Sequence, residues 1–216
     1  MTSAIAPYID YTLLKPGARI GEIELCCAAA VMQGYAAVCV PPCYVQHAAQ
    51  LTAGTGVRVC SVVGFPHGMH TTATKLAEAR ELHELGAAEL DLVINRADLR
   101  NDDRVALRRE IQAFCDFCRA EEVVSKIILE TGELSREEIR LMCDICVAAG
   151  ADMVKTSTGY AASGADLDTV RYMRQLLPAQ TGIKASGGIR DYTSALAFIE
   201  AGATRIGTST LLTDPS

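Results

Sequence analysis

The strongest constraint on this chain is its rhythm. Short apolar runs alternate strictly with longer amphipathic ones. Strand-like runs stand at 10–14, 36–40, 57–64, 89–94, 123–129, 152–156, 182–185 and 204–207. Helical periodicity fills 20–33, 44–51, 72–85, 102–120, 135–149, 166–177 and 191–201. Four junctions repeat one device, a glycine that ends a helix and feeds a strand: Gly34-Tyr35-Ala36, Gly86-Ala87-Ala88, Gly150-Ala151-Asp152 and Gly202-Ala203-Thr204. Alternating βα units predict a parallel sheet covered by helices. Eight strands in 216 residues predict one closed (β/α)8 barrel, a single α/β domain over 1–216, because such barrels run to about 200–250 residues. Only Leu211-Leu212-Thr213-Asp214-Pro215-Ser216 follows the last strand, so the eighth outer helix is expected to be short or missing.

Strand parity then sorts side chains into two faces. In Glu89-Leu90-Asp91-Leu92-Val93-Ile94-Asn95, the leucines and Ile94 face the helices, which turns Glu89 and Asp91 inward. In Lys126-Ile127-Ile128-Leu129-Glu130, Lys126 and Glu130 turn inward. Lys155 and Lys184 follow the same parity. The interior is therefore expected to hold Glu89, Asp91 and Glu130 against Lys126, Lys155 and Lys184, three charges of each sign. Barrel interiors usually carry branched apolar residues, and buried ion pairs stabilise little. A functional origin is the favoured reading, with a purely structural ion-pair network as its competitor.

A free lysine is an ammonium at neutral pH and cannot attack a carbonyl. Burial and a second cation both favour its neutral form. Two lysines on successive strands near the C-terminal mouth suit Schiff-base chemistry, one as nucleophile and the other as electrostatic partner. These residues alone leave the two roles interchangeable. Asp91 is expected to serve acid–base chemistry directly or through water. Ser186-Gly187-Gly188-Ile189 and Gly207-Thr208-Ser209-Thr210 follow the last two strands, where barrels often bind phosphate through backbone N–H groups. A small phosphorylated carbonyl compound is the expected substrate.

These motifs resemble deoxyribose-phosphate aldolase, a class I aldolase family built on a (β/α)8 barrel. The resemblance runs from Ile9 to about Ser209. It rests on Val38-Cys39-Val40, Gly64-Phe65-Pro66-His67-Gly68, Glu89 to Asn95, Lys126 to Thr131, Val154-Lys155-Thr156-Ser157-Thr158-Gly159 and Lys184-Ala185-Ser186-Gly187-Gly188-Ile189-Arg190. It implies reversible cleavage of 2-deoxy-D-ribose 5-phosphate to glyceraldehyde 3-phosphate and acetaldehyde, as in deoxyribose phosphate catabolism. It implies Lys155 as the Schiff-base lysine, Lys184 as its activating partner and Asp91 as the proton-relay carboxylate. Gly159, Gly187, Gly188, Gly207, Ser209 and Thr210 match the phosphate site. Asp10, Thr12 and Thr158 match the substrate lining, which Lys126 is expected to join. No metal or organic cofactor is implied, because the protonated imine is the electron sink. Pro41 stands where the family often has asparagine, and Tyr160 where phenylalanine or lysine is common. No tyrosine follows Tyr192, although some members carry one at the C-terminus.

The remaining signals bound the setting. A net charge of -6 and no basic stripe argue against nucleic acid. No apolar run approaches a bilayer span, and no signal peptide opens the chain, so a cytoplasmic protein with reduced thiols is expected. A homo-oligomer, dimer or tetramer, is the expected assembly. Cys115-Asp116-Phe117-Cys118 and Cys143-Asp144-Ile145-Cys146 have zinc-like spacing but sit on apolar helix stripes, so they read as core. His67 and His70 lack a third metal ligand. Cys39 reads as a packed strand cysteine, with a reactive thiol as the alternative. Lys75 and Glu78 read as a solvated i,i+3 pair. A transaldolase-like enzyme, a metal-dependent aldolase and a non-enzymatic sugar-phosphate binder are the competing functions.

Overall fold

Gly150 shows how the alternation becomes a barrel. Its φ of 72° places it in the left-handed region, and its N–H reaches back to the Cys146 and Val147 carbonyls. That closes one helix and frees the chain to enter a strand three residues later. The same helix opens on a capping box: the Ser135 hydroxyl accepts the Glu138 N–H, and the Glu138 carboxylate accepts the Ser135 N–H.

The computed structural model describes residues 3–212. Its strands are β1 (Ile9–Thr12), β2 (Ala37–Cys39), β3 (Arg58–Val63), β4 (Glu89–Val93), β5 (Val124–Ile128), β6 (Met153–Lys155), β7 (Gly182–Ser186) and β8 (Arg205–Thr208). Its helices are α1 (Ile20–Gln33), α2 (Val45–Thr52), α3 (Thr72–Glu84), α4 (Arg96–Arg100), α5 (Arg104–Ala120), α6 (Arg136–Ala149), α7 (Leu167–Leu176) and α8 (Tyr192–Glu200). The strands pair in chain order, all parallel, and β8 closes on β1. This is the expected (β/α)8 barrel. No helix follows β8 among the described residues, and the tail at 213–216 lies outside them.

The apolar residues divide between two regions. A large core fills the space between barrel and helices, where Leu90 and Leu92 of β4 join Ile111 and Phe114 of α5. A much smaller apolar cluster is formed by Ala37, Cys39, Cys60 and Val62 of β2 and β3. Cys115, Cys118, Cys143 and Cys146 are all buried on α5 and α6, in line with the apolar stripes expected for them. Burial pushes the Cys115 and Cys143 thiols up to about 12.

Three expectations need correction. The first strand stops at Thr12 instead of running to residue 14, and 13–15 belong to the mouth. The helix expected over 102–120 is α5, which starts two residues later, and a short helix that was not expected, α4, precedes it. Asp102 adopts φ 53° between the two helices, and Asp103 caps α5 by accepting the Ala106 N–H at 2.9 Å. Lys75 and Glu78 are not a solvated pair. Lys75 is buried and bonds both Glu110 oxygens at 2.9 Å and the Val93 carbonyl at 2.8 Å, while Glu78 accepts the Gly64 N–H. The helical spacing was right, but α3 turns this face onto β3, β4 and α5 rather than to water.

Candidate active site

Strand register assembles the site. Asp91 on β4 is the direct partner of Lys126 on β5, and Lys155 on β6 is the partner of Lys184 on β7. All four side chains turn inward. Lys126 Nζ lies 2.9 Å from Asp91 Oδ1, and Lys155 Nζ and Lys184 Nζ lie 2.7 and 2.8 Å from Asp91 Oδ2. One carboxylate thus carries three ammonium groups. Burial opposes its charge, but Lys126, Lys155 and Lys184 outweigh that cost and hold it well below the ordinary carboxylate range.

The cluster continues below. Lys126 Nζ is also 2.6 Å from Glu89, and Lys184 Nζ is 2.5 Å from Asp10 Oδ2. Arg205 bridges Asp10 and Glu89 at 2.5 and 2.9 Å. Burial works against Asp10, yet Lys184, Lys126 and Arg205 bring it from an ordinary 3.8 to about 2. Burial likewise opposes the charge on Lys184, but Asp10 and Asp91 raise its affinity for the proton above the ordinary lysine value. Lys126 is raised in the same way, with Asp91 as its strongest charge partner.

The expected three-to-three balance therefore changes. Glu130 does not join the lysines. It adopts φ 61° just beyond β5, where strand parity no longer applies, and its carboxylate accepts the Thr158 N–H and, at 2.5 Å, the Thr158 hydroxyl. Asp10 and Arg205 take part instead. The buried cluster then counts Lys126, Lys155, Lys184 and Arg205 against Asp10, Glu89 and Asp91, an excess of one positive charge.

Above this floor lies a cavity of about 370 Å³. Lys155 and Lys184 reach it from below. Thr12, Thr158, Gly159, Gly187, Gly188, Gly207 and Ser209 line it. Asp10, Asp91, Lys126 and Thr210 are not among the lining residues. The first three are fully buried beneath it, and the Thr210 N–H binds the Thr208 hydroxyl at the rim. Gly187 and Gly188 have φ of 91° and 85°, which only glycine adopts without strain. A Cβ on Gly207 would come within 2.9 Å of Ser186 and 3.3 Å of Lys184 Cε, so a side chain there would crowd the lysine.

Cys39 and Cys60, register partners on β2 and β3, complete the floor. Cys60 Sγ is 3.2 Å from Asp91 Oδ1 and 3.3 Å from Lys126 Nζ. Burial pushes the Cys60 thiol well up, whereas a hydrogen bond from Cys60 and the charge of Lys184 lower Cys39. Two groups, Cys39 with Cys60 and Asp91, and Asp10 with Cys60 and Glu89, bring together atoms that could bind a metal ion. Lys126 Nζ already lies among them, within bonding distance of Glu89, Asp91 and Cys60. An added cation would have to displace that ammonium, so the donor set suits a lysine rather than a metal.

The arrangement can present an amine to a carbonyl compound whose anionic end rests on glycine loops. The sequence profile of the DeoC/LacD family of aldolases matches residues 6–214. The chain belongs to that family. Two curated relatives agree in length as well as sequence. Deoxyribose-phosphate aldolase 1 of Bacillus licheniformis is 46% identical, over 97% of this chain and 93% of that protein. Deoxyribose-phosphate aldolase of Thermosynechococcus vestitus is 48% identical, over 95% and 93%. The tetrameric deoxyribose phosphate aldolase of Aeropyrum pernix superposes with a TM-score of 0.89 at 36% identity, covering 96% of this chain and 87% of that one.

Within this family member, three parts of the site escaped sequence reasoning. Arg205 begins β8 as the register partner of Lys184 on β7, a pairing that the folded barrel makes and the local sequence does not. Cys60 stands one strand from Asp91, but a cysteine in a strand gives no sign of which face it occupies. Lys15 and Arg190 also line the cavity. Arg190 stands two residues after the double glycine, whereas Lys15 had no signal beyond its nearness to Thr12.

Proposed function

We propose that the chain reversibly cleaves 2-deoxy-D-ribose 5-phosphate to D-glyceraldehyde 3-phosphate and acetaldehyde through a Schiff base on Lys155. The observation that carries this reading is the pair Lys155 and Lys184 on one oxygen of Asp91, at the floor of a glycine-rimmed cavity. Ion-pair partners separate the lysines. Among the described residues, Lys126 meets Glu89, Asp91 and, at 3.9 Å, Asp10; Lys184 meets Asp10 and Asp91; Lys155 meets Asp91 alone. With four cations on three carboxylates, neutralising Lys155 costs the cluster the fewest ion pairs.

In the cleavage direction, the neutral Lys155 amine adds to the C1 carbonyl, and loss of water gives a protonated imine. The C2–C3 bond then breaks. Its electron pair passes to the imine, giving an enamine, while the C3 hydroxyl gives up its proton and becomes the aldehyde of glyceraldehyde 3-phosphate. Protonation at C2 and hydrolysis release acetaldehyde and free Lys155. Lys184, held charged by Asp10 and Asp91 and facing the cavity, is placed to stabilise the hydroxyl departing from the carbinolamine through its positive charge. Asp91 is suited to fix both lysines and to stabilise the iminium charge; a carboxylate held so firmly ionised is a poor proton donor. Gly159, Gly187, Gly188, Gly207 and Ser209, with Arg190, are proposed to hold the phosphate.

No helix among the described residues is long and apolar enough to cross a membrane. A cytoplasmic site of action fits nine free thiols. A homo-oligomer fits the tetrameric Aeropyrum relative and the exposed apolar residues Leu25 and Met32 on one face of α1. Light scattering on the eluted protein tests this, and a monomer at micromolar concentration would rule it out.

The test of the chemistry is borohydride trapping with acetaldehyde, read by peptide mass spectrometry. A reduced two-carbon adduct is expected on Lys155. An adduct on another lysine, or none, sinks the reading.

A further inference from the structure

Each carboxylate of the floor already has a lysine of its own. Asp10 has Lys184 at 2.5 Å, Glu89 has Lys126 at 2.6 Å and Asp91 has Lys155 at 2.7 Å. A buried ion-pair network that served stability alone would close there, with three charges of each sign. Arg205 is the extra member. It is the first residue of β8, and its guanidinium bonds Asp10 at 2.5 Å and Glu89 at 2.9 Å, although neither acid needs it for neutrality. Arg58 also approaches Glu89, at 3.5 Å, but its side chain is 56% exposed and water screens its charge. Arg205 is buried, so its charge is felt across the cluster.

A guanidinium does not give up its proton inside a protein. Burial opposes the charge on Arg205, but Asp10 and Glu89 hold it. The cluster regains balance by releasing a proton elsewhere. Lys126 and Lys184 each hold two or more carboxylates, whereas Lys155 holds Asp91 alone among the described residues. The groups around the Lys155 amine are Asp91 on β4, Lys126 on β5 and Lys184 on β7. Cys60 on β3 lies against Asp91, and Cys39 on β2 is close enough to feel the Lys155 charge. Arg205 does not touch the amine. It is the register partner of Lys184, which is the partner of Lys155, so two strand spacings, about 10 Å, separate the backbones of Arg205 and Lys155.

We propose that Arg205 is a positioning residue for the Schiff-base reaction, a fixed charge outside the cavity that acts through Asp10, Glu89 and the lysines to keep the Lys155 amine free of its proton. This rests on the aldolase reading above. Arg205 is not among the residues that line the cavity, so its action on the substrate is indirect. Removing the guanidinium leaves three cations on three carboxylates, and the protonated form of Lys155 is then the balanced one. Removing the charge of Glu89 does the opposite, leaving four cations on two carboxylates. At about 10 Å and an effective dielectric constant of about 20, one unit charge moves a titration by about one pH unit.

The test is the pH profile of kcat/KM for cleavage of 2-deoxy-D-ribose 5-phosphate in wild type, Arg205→Met and Glu89→Gln. This quantity follows the protonation of the free enzyme, and the titration of the substrate phosphate is common to all three proteins. The acid limb is expected about one pH unit higher in Arg205→Met and about one lower in Glu89→Gln. A packing defect lowers the rate at every pH and leaves the limb in place, so opposite shifts separate a charge from a structural prop. A limb that stays in place, or moves the other way, in either folded variant overturns the inference alone, provided that wild type traps acetaldehyde on Lys155. That is the outcome if Cys39, rather than Lys155, releases the proton. A wild type that traps nothing overturns the aldolase reading and this inference with it. Should one variant fail to fold, the other decides by the direction of its shift.

Discussion

Lys155 and Lys184 are register partners that reach the same oxygen of Asp91, at 2.7 and 2.8 Å. They differ in what else they touch. Lys184 also holds Asp10 at 2.5 Å, while Lys155 faces the cavity with Asp91 as its single ion-pair partner among the described residues. Near-symmetry in sequence has become asymmetry in space, and the proposed division into nucleophile and fixed charge rests on it.

Replacing Lys184 by leucine should slow imine formation without moving it. The change removes the ammonium nearest to the amine and to the hydroxyl it must expel. Loss of such a preorganised group costs about 10²–10³ in rate. Borohydride trapping followed in time should show this slowing, with the adduct still on Lys155. Full-rate trapping in a folded variant would refute the partnership. Some loss of stability should accompany it, because Asp10 and Asp91 each lose a buried partner.

A chelator should leave activity unchanged. Lys126 Nζ occupies the space among Glu89, Asp91 and Cys60 that a cation would need. Turnover measured after dialysis against EDTA should match the untreated enzyme. Loss of turnover, restored by a divalent metal, would point to a metal-dependent aldolase instead.

Stability should fall in acid through the floor carboxylates. Asp10 titrates at about 2 in the folded chain, below its ordinary 3.8. A group depressed on folding contributes stability that is fully present above its unfolded value and lost as pH falls through its folded one. The window is therefore about pH 4 down to 2, and the contribution is on the order of 2 kcal/mol. Urea unfolding in this range should show a steep loss that flattens in Asp10→Asn. Equal slopes in the two proteins would mean that Asp10 is not held by Lys184 and Arg205.

Much of this was legible from periodicity. The glycine-ended helices gave the barrel, and two-residue parity within β4 to β7 put Asp91, Lys126, Lys155 and Lys184 on one face. Parity failed where the strand ended. Glu130 lies just beyond β5 in a left-handed conformation, so its alternation with Ile128 carried no information. Arg205 and Asp10 were missed as partners because their pairing closes the barrel across 195 residues of sequence, a contact that no local pattern encodes. Tyr160 was visible as a departure from the family, but the bond from its hydroxyl to the Leu14 carbonyl spans 146 residues and depends on the completed mouth.

The buried pair Lys75 and Glu110 offers a last test, away from the chemistry. Both side chains are nearly inaccessible, with exposures of 1% and 3%. Burial lowers Lys75 and raises Glu110, each toward its neutral form against the pull of the other. Such a pair adds little net stability over an apolar replacement, but leaving one partner alone is costly. Lys75→Met strands the Glu110 carboxylate and removes the donor to the Val93 carbonyl at the end of β4. It should cost about 3–5 kcal/mol in urea unfolding. Adding Glu110→Leu removes the stranded charge, and should recover at least about 2 kcal/mol of that loss. The recovery should stop short of wild type, because the Asn95 N–H and Val93 carbonyl then both lack their partners. Additive losses in the double variant would instead mean that each side chain acts through packing, and that the ion pair itself contributes nothing.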